Sequence, residues 1–362
     1  MVANFFLQLG LLELAALTWL FPGAALFFAG SPKPLDSGIA ADHPLPRKLE
    51  ILIPAHDDAP VIAETVSRLR RQVDAVLPGY PGVRISIHVG ADDCRDETAK
   101  IAFRSGAKVS VFSDLRSRWK TLKALVDASE ADWIIVADPT IRWGDEFLSD
   151  VLSHGVCGAI LALDPSRGAG PLGKLEDHLR ELENRVGGPI GFRAGAWVFE
   201  ATVLRSTLQA MSSRDWYSLG SVIPLALRLK HPQSRTLAQP RLDASEGSLD
   251  LKSRFREMMG ELQWIRLLLP HALNQNPRVG LLALRRAAQV FWVYGWLFTF
   301  LGIVLQSSLL AILMSAALVG IGAGFLARGG LAIRTFRDAA IVSLAAPLLW
   351  FKAGSASQIR WK

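Results

Sequence analysis

The sequence predicts an α/β domain, a mostly parallel sheet flanked by helices, held between apolar segments at the two ends of the chain. Three observations carry this. Short apolar runs alternate with stretches of helical spacing between residues 48 and 137. Residues 49–283 have the composition of a soluble protein, and the apolar excess lies outside them. Acidic residues of that middle collect just after the apolar runs.

Residues 48–53 (KLEILI) form a short apolar run closed by Pro54, the pattern of a buried strand. Val61, Ile62, Val66, Leu69 and Val73 then share one helical face. Residues 84–89 (RISIHV) alternate as a strand does, residues 96–105 read as a helix, and residues 108–112 as a strand. Residues 120–129 are helical and residues 133–137 (WIIVA) are again a strand. This succession implies right-handed crossovers and a parallel sheet. Such sheets bind ligands at the carboxyl ends of their strands.

The ends differ from the middle. Residues 5–29 carry one charge, Glu13. As a helix they would reach roughly 37 Å, enough for the hydrocarbon core of a bilayer. No Lys or Arg precedes them, so an uncleaved transmembrane anchor is expected over residues 1–30 rather than a secretory leader. Glu13 there either serves a function or faces other helices. Residues 31–47, rich in Pro and Gly, read as a linker. The soluble domain is expected over 48–250 and an interfacial amphipathic region over 251–283. A C-terminal membrane region over 284–362 follows, with spans at 287–306 and 308–327 and a short apolar segment at 339–351. Lys33, Arg47 and Lys48 follow the first apolar block; Arg285, Arg286 and Arg328 flank the second. Basic flanks place the soluble domain on the cytoplasmic side of an inner or plasma membrane.

Composition excludes several classes. The 362 residues are 50% hydrophobic and 20% charged, with a mean hydropathy of +0.26, which excludes a disordered chain. Cys94 and Cys157 are too few for a disulfide scaffold or a Cys-rich zinc site. Forty basic against 33 acidic residues give a mild +7. The basic residues border apolar segments and form no long stripe interleaved with aromatics, so nucleic acid is not an expected partner. Residues 168–175 (GAGPLGKL) approach two phosphate-loop patterns. Leu175, however, stands where Ser or Thr should bind Mg²⁺, and Pro171 stiffens the loop, so a glycine-rich turn is expected. H-E-x-x-H and G-x-S-x-G are both absent.

The acids at the strand ends carry the chemistry. The first strand is followed by His56-Asp57-Asp58, the second by Asp92-Asp93, and WIIVA by Asp138-Pro139-Thr140. Carboxylates that converge on one rim repel each other. A divalent cation held by oxygen ligands would offset that, and carboxylates can also grip a ribose or a base. Asp is common, too, in turns that follow strands.

In order and spacing these segments resemble the inverting family-2 glycosyltransferases of GT-A fold, including their membrane-bound, ceramide-glucosyltransferase-like relatives. ILIPAHDD (51–58) is similar to the family's opening strand and loop, and GADDCRDETAKIA (90–102) to its nucleotide-binding segment. KTLKALVD (120–127) resembles the lysine-led helix before the metal motif, and WIIVADPTIR (133–142) the strand that carries D-x-D. The resemblance covers about residues 48–270. It implies a GT-A-type, mostly parallel sheet flanked by helices, with N-terminal and C-terminal transmembrane helices. It implies a nucleotide-diphosphate sugar donor, usually a uridine one, and Mg²⁺ or Mn²⁺ across the diphosphate. Asp58, Asp92, Asp93, Lys120 and Asp138 fall on the donor side. Asp138 matches the first acid of D-x-D, and Thr140 stands at the second as the other metal-side residue, a hydroxyl being a weaker ligand than a carboxylate.

The resemblance also implies a general base, which takes the proton from the acceptor hydroxyl. Asp215 of Arg214-Asp215-Trp216-Tyr217 holds that place, with Arg214 where the family has Glu. Read from the residues alone, Asp215 also fits the less favoured place of a helix N-cap. Residues 191–198 (GFRAGAWV) resemble the segment that frames the acceptor site. Gln263 and Arg266 keep the spacing of the family's Q-x-x-R-W, with Leu267 in place of Trp. Arg254, Arg256 and Arg266 are candidates to pair with the diphosphate. They also suit the polar side of an amphipathic helix lying on the membrane.

The function this implies is transfer of a sugar from a nucleotide-diphosphate sugar to a lipid hydroxyl at a membrane. Two alternatives stand beside it: a polysaccharide synthase-type transferase, and a non-catalytic glycosyltransferase-like scaffold or sensor.

Overall fold

The computed structural model describes residues 2–15, 45–140, 144–154, 159–165, 183, 187–191, 196–232, 235–242, 251–305, 341–345 and 347. Residues 31–44 of the expected linker, the rest of the first apolar block, the glycine-rich turn at 168–175 and the span at 308–327 lie outside the described residues. So does most of the segment at 339–351, of which residues 341–345 are helical.

The strands are β1 (Lys48–Ala55), β2 (Arg84–Asp92), β3 (Lys108–Phe112), β4 (Trp133–Val136), β5 (Ala159–Pro165), β6 (Ala196–Glu200) and β7 (Arg235–Leu242). They form a seven-stranded sheet of order β3-β2-β1-β4-β6-β5-β7. β1 pairs in parallel with β2 and β4, β2 with β3, and β5 with β7, while β6 runs antiparallel to both its neighbours. The register opposes Leu49 to Ile85 and to Trp133. The carboxyl ends of β1, β2 and β4 therefore open on one rim.

Alternation along β1 and β4 feeds two cores, because successive side chains of a strand point to opposite faces. Leu49, Ile51, Ile53, Trp133 and Ile135 pack against α2 (Ala59–Val76) and α5 (Phe147–His154) through Ile62, Val66, Leu69, Phe147 and Val151. Leu52, Ile134 and Val136 pack on the other side. There they meet α4 (Arg118–Ala128), α6 (Ala201–Ala210) and α7 (Leu219–Lys230), through Leu122, Leu125, Leu204 and Val222. Burial on both faces explains why these strands read as near-continuous apolar runs. The short α3 (Thr98–Arg104) links β2 to β3.

The region beyond residue 250 is helical and packs in part on the domain. It forms α8 (Leu251–Leu267), α9 (Leu269–Gln275) and α10 (Pro277–Val290). Met259, Leu262 and Trp264 are buried, and Trp264, Val279, Leu282 and Ala283 belong to the core beside α7. The apolar stripe of α8 thus packs on the protein. Periodicity reveals an apolar face but not what covers it. Arg285 and Arg286, expected as membrane flanks, turn inward to pair with Glu183 and Glu261.

The span expected at 287–306 is broken as well. α10 ends at Val290, α11 (Trp292–Leu305) begins at once, and the two bend by 66°. Among the described residues no single helix is long and apolar enough to cross a membrane, though this bent pair meets that test together. α11 packs against α1 (Val2–Ala15), with Phe6 and Phe298 ring centroids 5.8 Å apart. A side chain at Gly10 would strike Thr299, and one at Gly302 would strike Leu7, so the two helices meet backbone to backbone. Phe5, Leu9, Leu12, Trp296, Leu297 and Phe300 remain exposed on this pair.

Candidate active site

One turn organises the rim. Residues 116–121 (RSRWKT) lead into α4, whose N-cap Ser117 accepts from the Lys120 amide. Each polar residue of that turn meets an aspartate from another part of the chain. The amides of Arg116 and Ser117 donate to Asp92 Oδ1 and Oδ2, both at 3.0 Å, and Thr121 Oγ1 donates to Asp92 Oδ2 at 2.9 Å. Arg116 Nε lies 2.9 Å from Asp93 Oδ2. Arg118 Nη2 donates to Asp138 Oδ2 at 2.7 Å. Lys120 Nζ lies 3.1 Å from Asp215 Oδ2. A helix N-terminus favours negative charge, so acids gather where the backbone amides point.

Asp92 comes to the site in a form the sequence did not foresee. It is 2% exposed and both its oxygens are taken by the turn it holds, so it braces residues 116–121 from below. Asp93 is the more open acid of the pair, its side chain 28% exposed.

Asp58 closes the rim from β1. Its Oδ2 accepts from the His56 amide at 2.9 Å, and its own amide donates to Thr98 Oγ1 at 2.8 Å. His56 Nδ1 lies 2.6 Å from the Asp92 carbonyl; a carbonyl only accepts, so that nitrogen carries the proton. Burial, with Asp138 facing it, pushes the Asp58 carboxyl up to about 6 despite the His56 amide and Arg118. Asp138 is held below its usual range, because Arg118 and the two bonds from Thr140 outweigh burial. Those bonds run from the Thr140 amide at 2.9 Å and its hydroxyl at 2.7 Å, both to Asp138 Oδ1. Among the described residues the non-glycine positions of positive φ are Asp57, Asp93 and Arg116, at 54°, 47° and 44°, and all lie on this rim. Asp adopts that conformation readily; Arg does so at a cost that its bonds to Asp92 and Asp93 offset.

Asp215 sits in the loop before α7. Its carbonyl accepts from Gln263 Nε2 at 2.7 Å, and Gln263 Oε1 accepts from the Tyr217 amide at 3.3 Å. Gln263 therefore ties the Asp215 loop to α8. The cation beside Asp215 is Lys120 rather than Arg214, which is exposed. Arg266 is exposed too, Arg256 is half-buried, and the side chain of Arg254 lies outside the described residues. The structure brings Asp58, Asp92, Asp93, Lys120, Asp138, Thr140, Asp215 and Gln263 to one region, and forms no bond between the rim acids and Arg266.

Two further residues escaped the sequence. Arg118 is one, since nothing in its own segment says which acid it meets. Glu261 is the other. Buried on α8, it accepts from Ser218 Oγ and Ser221 Oγ, each at 2.6 Å, and from Trp264 Nε1 at 2.8 Å, with Arg286 Nη2 at 3.4 Å. Arg286 and these donors hold its carboxyl low despite burial. A side chain at Gly260 would come within 2.5 Å of the Ser218 amide, so α8 presses directly on the start of α7. The G-E-L-Q order at 260–263 was the available signal: glycine for contact, then two polar residues facing inward.

Asp58 and Asp138 in mutual repulsion, with the Thr140 hydroxyl beside them, form a hard oxygen donor set that fits a divalent cation. A second group, Asp57, Cys94 and Asp96, has ligand atoms within 4.8 Å of one another. Its carboxylates already accept from the Arg95, Ala59 and Thr98 amides, and burial pushes the Cys94 thiol up. That set suits a tied loop better than a hard cation.

No protein-family model and no curated protein matches the sequence. Solved structures do. The mannosyltransferase PcManGT from Pyrobaculum calidifontis, in complex with GDP-Man and Mn²⁺, matches with a TM-score of 0.68 at 16% identity, over 96% of this chain and 99% of that one. TarS 1–349 of S. aureus matches at 13% identity over 70% of this chain and 80% of that one, with a TM-score of 0.45. Glucosyl-3-phosphoglycerate synthase of Mycobacterium tuberculosis, in complex with phosphoglyceric acid, matches at 15% identity over 61% and 80%, with a TM-score of 0.42. The first likeness, with the sheet described above, fixes the fold as GT-A-type.

Proposed function

We propose that this chain is an inverting glycosyltransferase that moves a sugar from a nucleotide-diphosphate sugar to a lipid hydroxyl at a membrane surface. The observation that carries this is the gathering of Asp58, Asp138 and Asp215 around one helix N-terminus at the carboxyl rim. The resemblance to family-2 transferases and the fold shared with a mannosyltransferase support the same reading.

Asp138, Asp58 and Thr140 would hold Mg²⁺ or Mn²⁺. When bound, such an ion offsets the charge that develops on the leaving diphosphate. Asp215 takes the proton of the acceptor hydroxyl as that oxygen bonds to the anomeric carbon. The bond from that carbon to the diphosphate breaks, and its electron pair leaves with the nucleoside diphosphate. Lys120 and Gln263 hold Asp215 in place, one by its carboxylate and one by its carbonyl. Arg254, Arg256 and Arg266 remain candidates for the diphosphate. The donor base is uridine by resemblance, while the structure of highest TM-score given above holds a guanosine donor.

For the acceptor, the apolar residues exposed on α1 and α11 support a membrane-embedded pair. Gly10 and Gly302 allow the close helix approach common within lipid. The domain would then lie at the cytoplasmic face of an inner or plasma membrane, where a lipid hydroxyl emerges. One observation favours the non-catalytic sensor instead: Asp138 and Asp215 are each already paired with a cation of the chain.

The test is transfer from radiolabelled UDP-glucose, UDP-GlcNAc, UDP-galactose and GDP-mannose to a lipid extract, with the anomeric configuration of the product read by NMR. Labelled lipid of inverted configuration is expected. Binding of nucleotide without transfer favours the sensor, and neither binding nor transfer overturns the proposal.

A further inference from the structure

Arg118 stands out because its place is contested. It enters the rim from the first turn of α4 and bonds Asp138 Oδ2, the oxygen the proposed cation site needs. Asp58 and Glu257 also lie within electrostatic reach, Glu257 coming from α8. Its Nε is buried with no hydrogen-bond partner, although guanidinium nitrogens are seldom left so. The side chain is 32% exposed, so it has room to move. A guanidinium fits a diphosphate in two-pronged fashion, at least as well as it fits a single carboxylate oxygen.

We propose that Arg118 is an internal cation that exchanges partners. In the empty site it neutralises Asp138 and keeps that carboxylate in position. When a nucleotide diphosphate arrives with its divalent cation, Arg118 gives up Asp138 and turns to the diphosphate oxygens, where its idle Nε gains an acceptor. This rests on the reading of the rim as a nucleotide-sugar site and adds a residue that neither the resemblance nor the sequence pattern supplied.

The exchange predicts effects of opposite sign. Arg118 competes with a metal ion alone for Asp138, but assists the metal together with a nucleotide. Binding of Mn²⁺ alone, followed by its electron paramagnetic resonance, should tighten about tenfold in Arg118→Gln of the full chain in detergent. Binding of UDP or GDP in the presence of saturating Mn²⁺, followed by calorimetry, should weaken by about the same factor. Arg118→Lys should restore the first value and only part of the second, because an ammonium lacks the fork. A variant that merely loosened the fold would weaken both. Weakening of both with a lowered melting temperature, or no change in either, overturns the proposal while the proposed function stands. If the wild-type chain binds neither UDP nor GDP with Mn²⁺, the proposed function and this inference fall together.

Discussion

The rim and the Glu261 hub lie on either side of the loop that carries Asp215, and they treat negative charge in opposite ways. At the hub, one carboxylate is buried among short, fixed donors, two serine hydroxyls and an indole, with Arg286 behind them. It is better off ionised, and its carboxyl is held low. At the rim, burial and the facing Asp138 make the charge of Asp58 costly and push its carboxyl up to about 6. The cations there, Arg118 and Lys120, are long and half-exposed. Satisfied charge marks the part that must stay still, and unsatisfied charge marks the part arranged for something that arrives.

Four substitutions probe that contrast. Asp215→Asn should leave the melting temperature close to wild type and lower sugar transfer by about 10²–10⁴-fold, the usual worth of a general base. Loss of folding with proportionate loss of activity would reduce Asp215 to a loop-holding role. Glu261→Ala should lower stability by about 3–5 kcal/mol in denaturant titration, since it strands Arg286 and three further donors. The wild-type contribution is present above the ordinary carboxylate range and fades as pH falls through the lowered value, so the variant should lose less on acidification.

Asp58→Asn should act the other way. The folded value of Asp58 lies above its unfolded one, so its cost is absent at low pH and grows as pH rises through about 6. In metal-free buffer at neutral pH the variant should gain up to about 3 kcal/mol, and the gain should vanish below about pH 4. A variant less stable than wild type at neutral pH would show that the rim is not strained by charge. Lys48→Ala, which breaks the surface pair with Glu130, should change neither stability nor activity measurably.

How much of this was written in the sequence follows from how local each signal is. Lys108–Phe112 is a strand at the predicted boundaries, and β1, β2 and β4 are placed by apolar runs that both faces of the sheet bury. β1 and β2 run two and three residues past their predicted ends, because they go on pairing with each other to Ala55 and Ala91, and β2 with β3 to Asp92, while β4 has already ended beside Pro54. The acids after those strands were legible because their order along the chain fixes their place on the rim. Asp92 was legible as a rim acid but not as a brace, since only the folded turn at 116–121 shows what fills its oxygens. Arg118 and Glu261 were hidden because their partners lie at Asp138 and Ser218, contacts that no periodicity encodes. The apolar face of α8 was legible but its partner was not: a stripe that shares a core with Leu219 and Val222 reads like one that packs on lipid.

The most direct test is a structure of the full chain with UDP or GDP and Mn²⁺. The ion is expected between Asp58, Asp138 and Thr140, with the diphosphate within reach of Arg118 and the carboxylate of Asp215 facing its outer phosphate. A nucleotide found away from the carboxyl ends of β1, β2 and β4, with Asp138 still paired to Arg118, would contradict it.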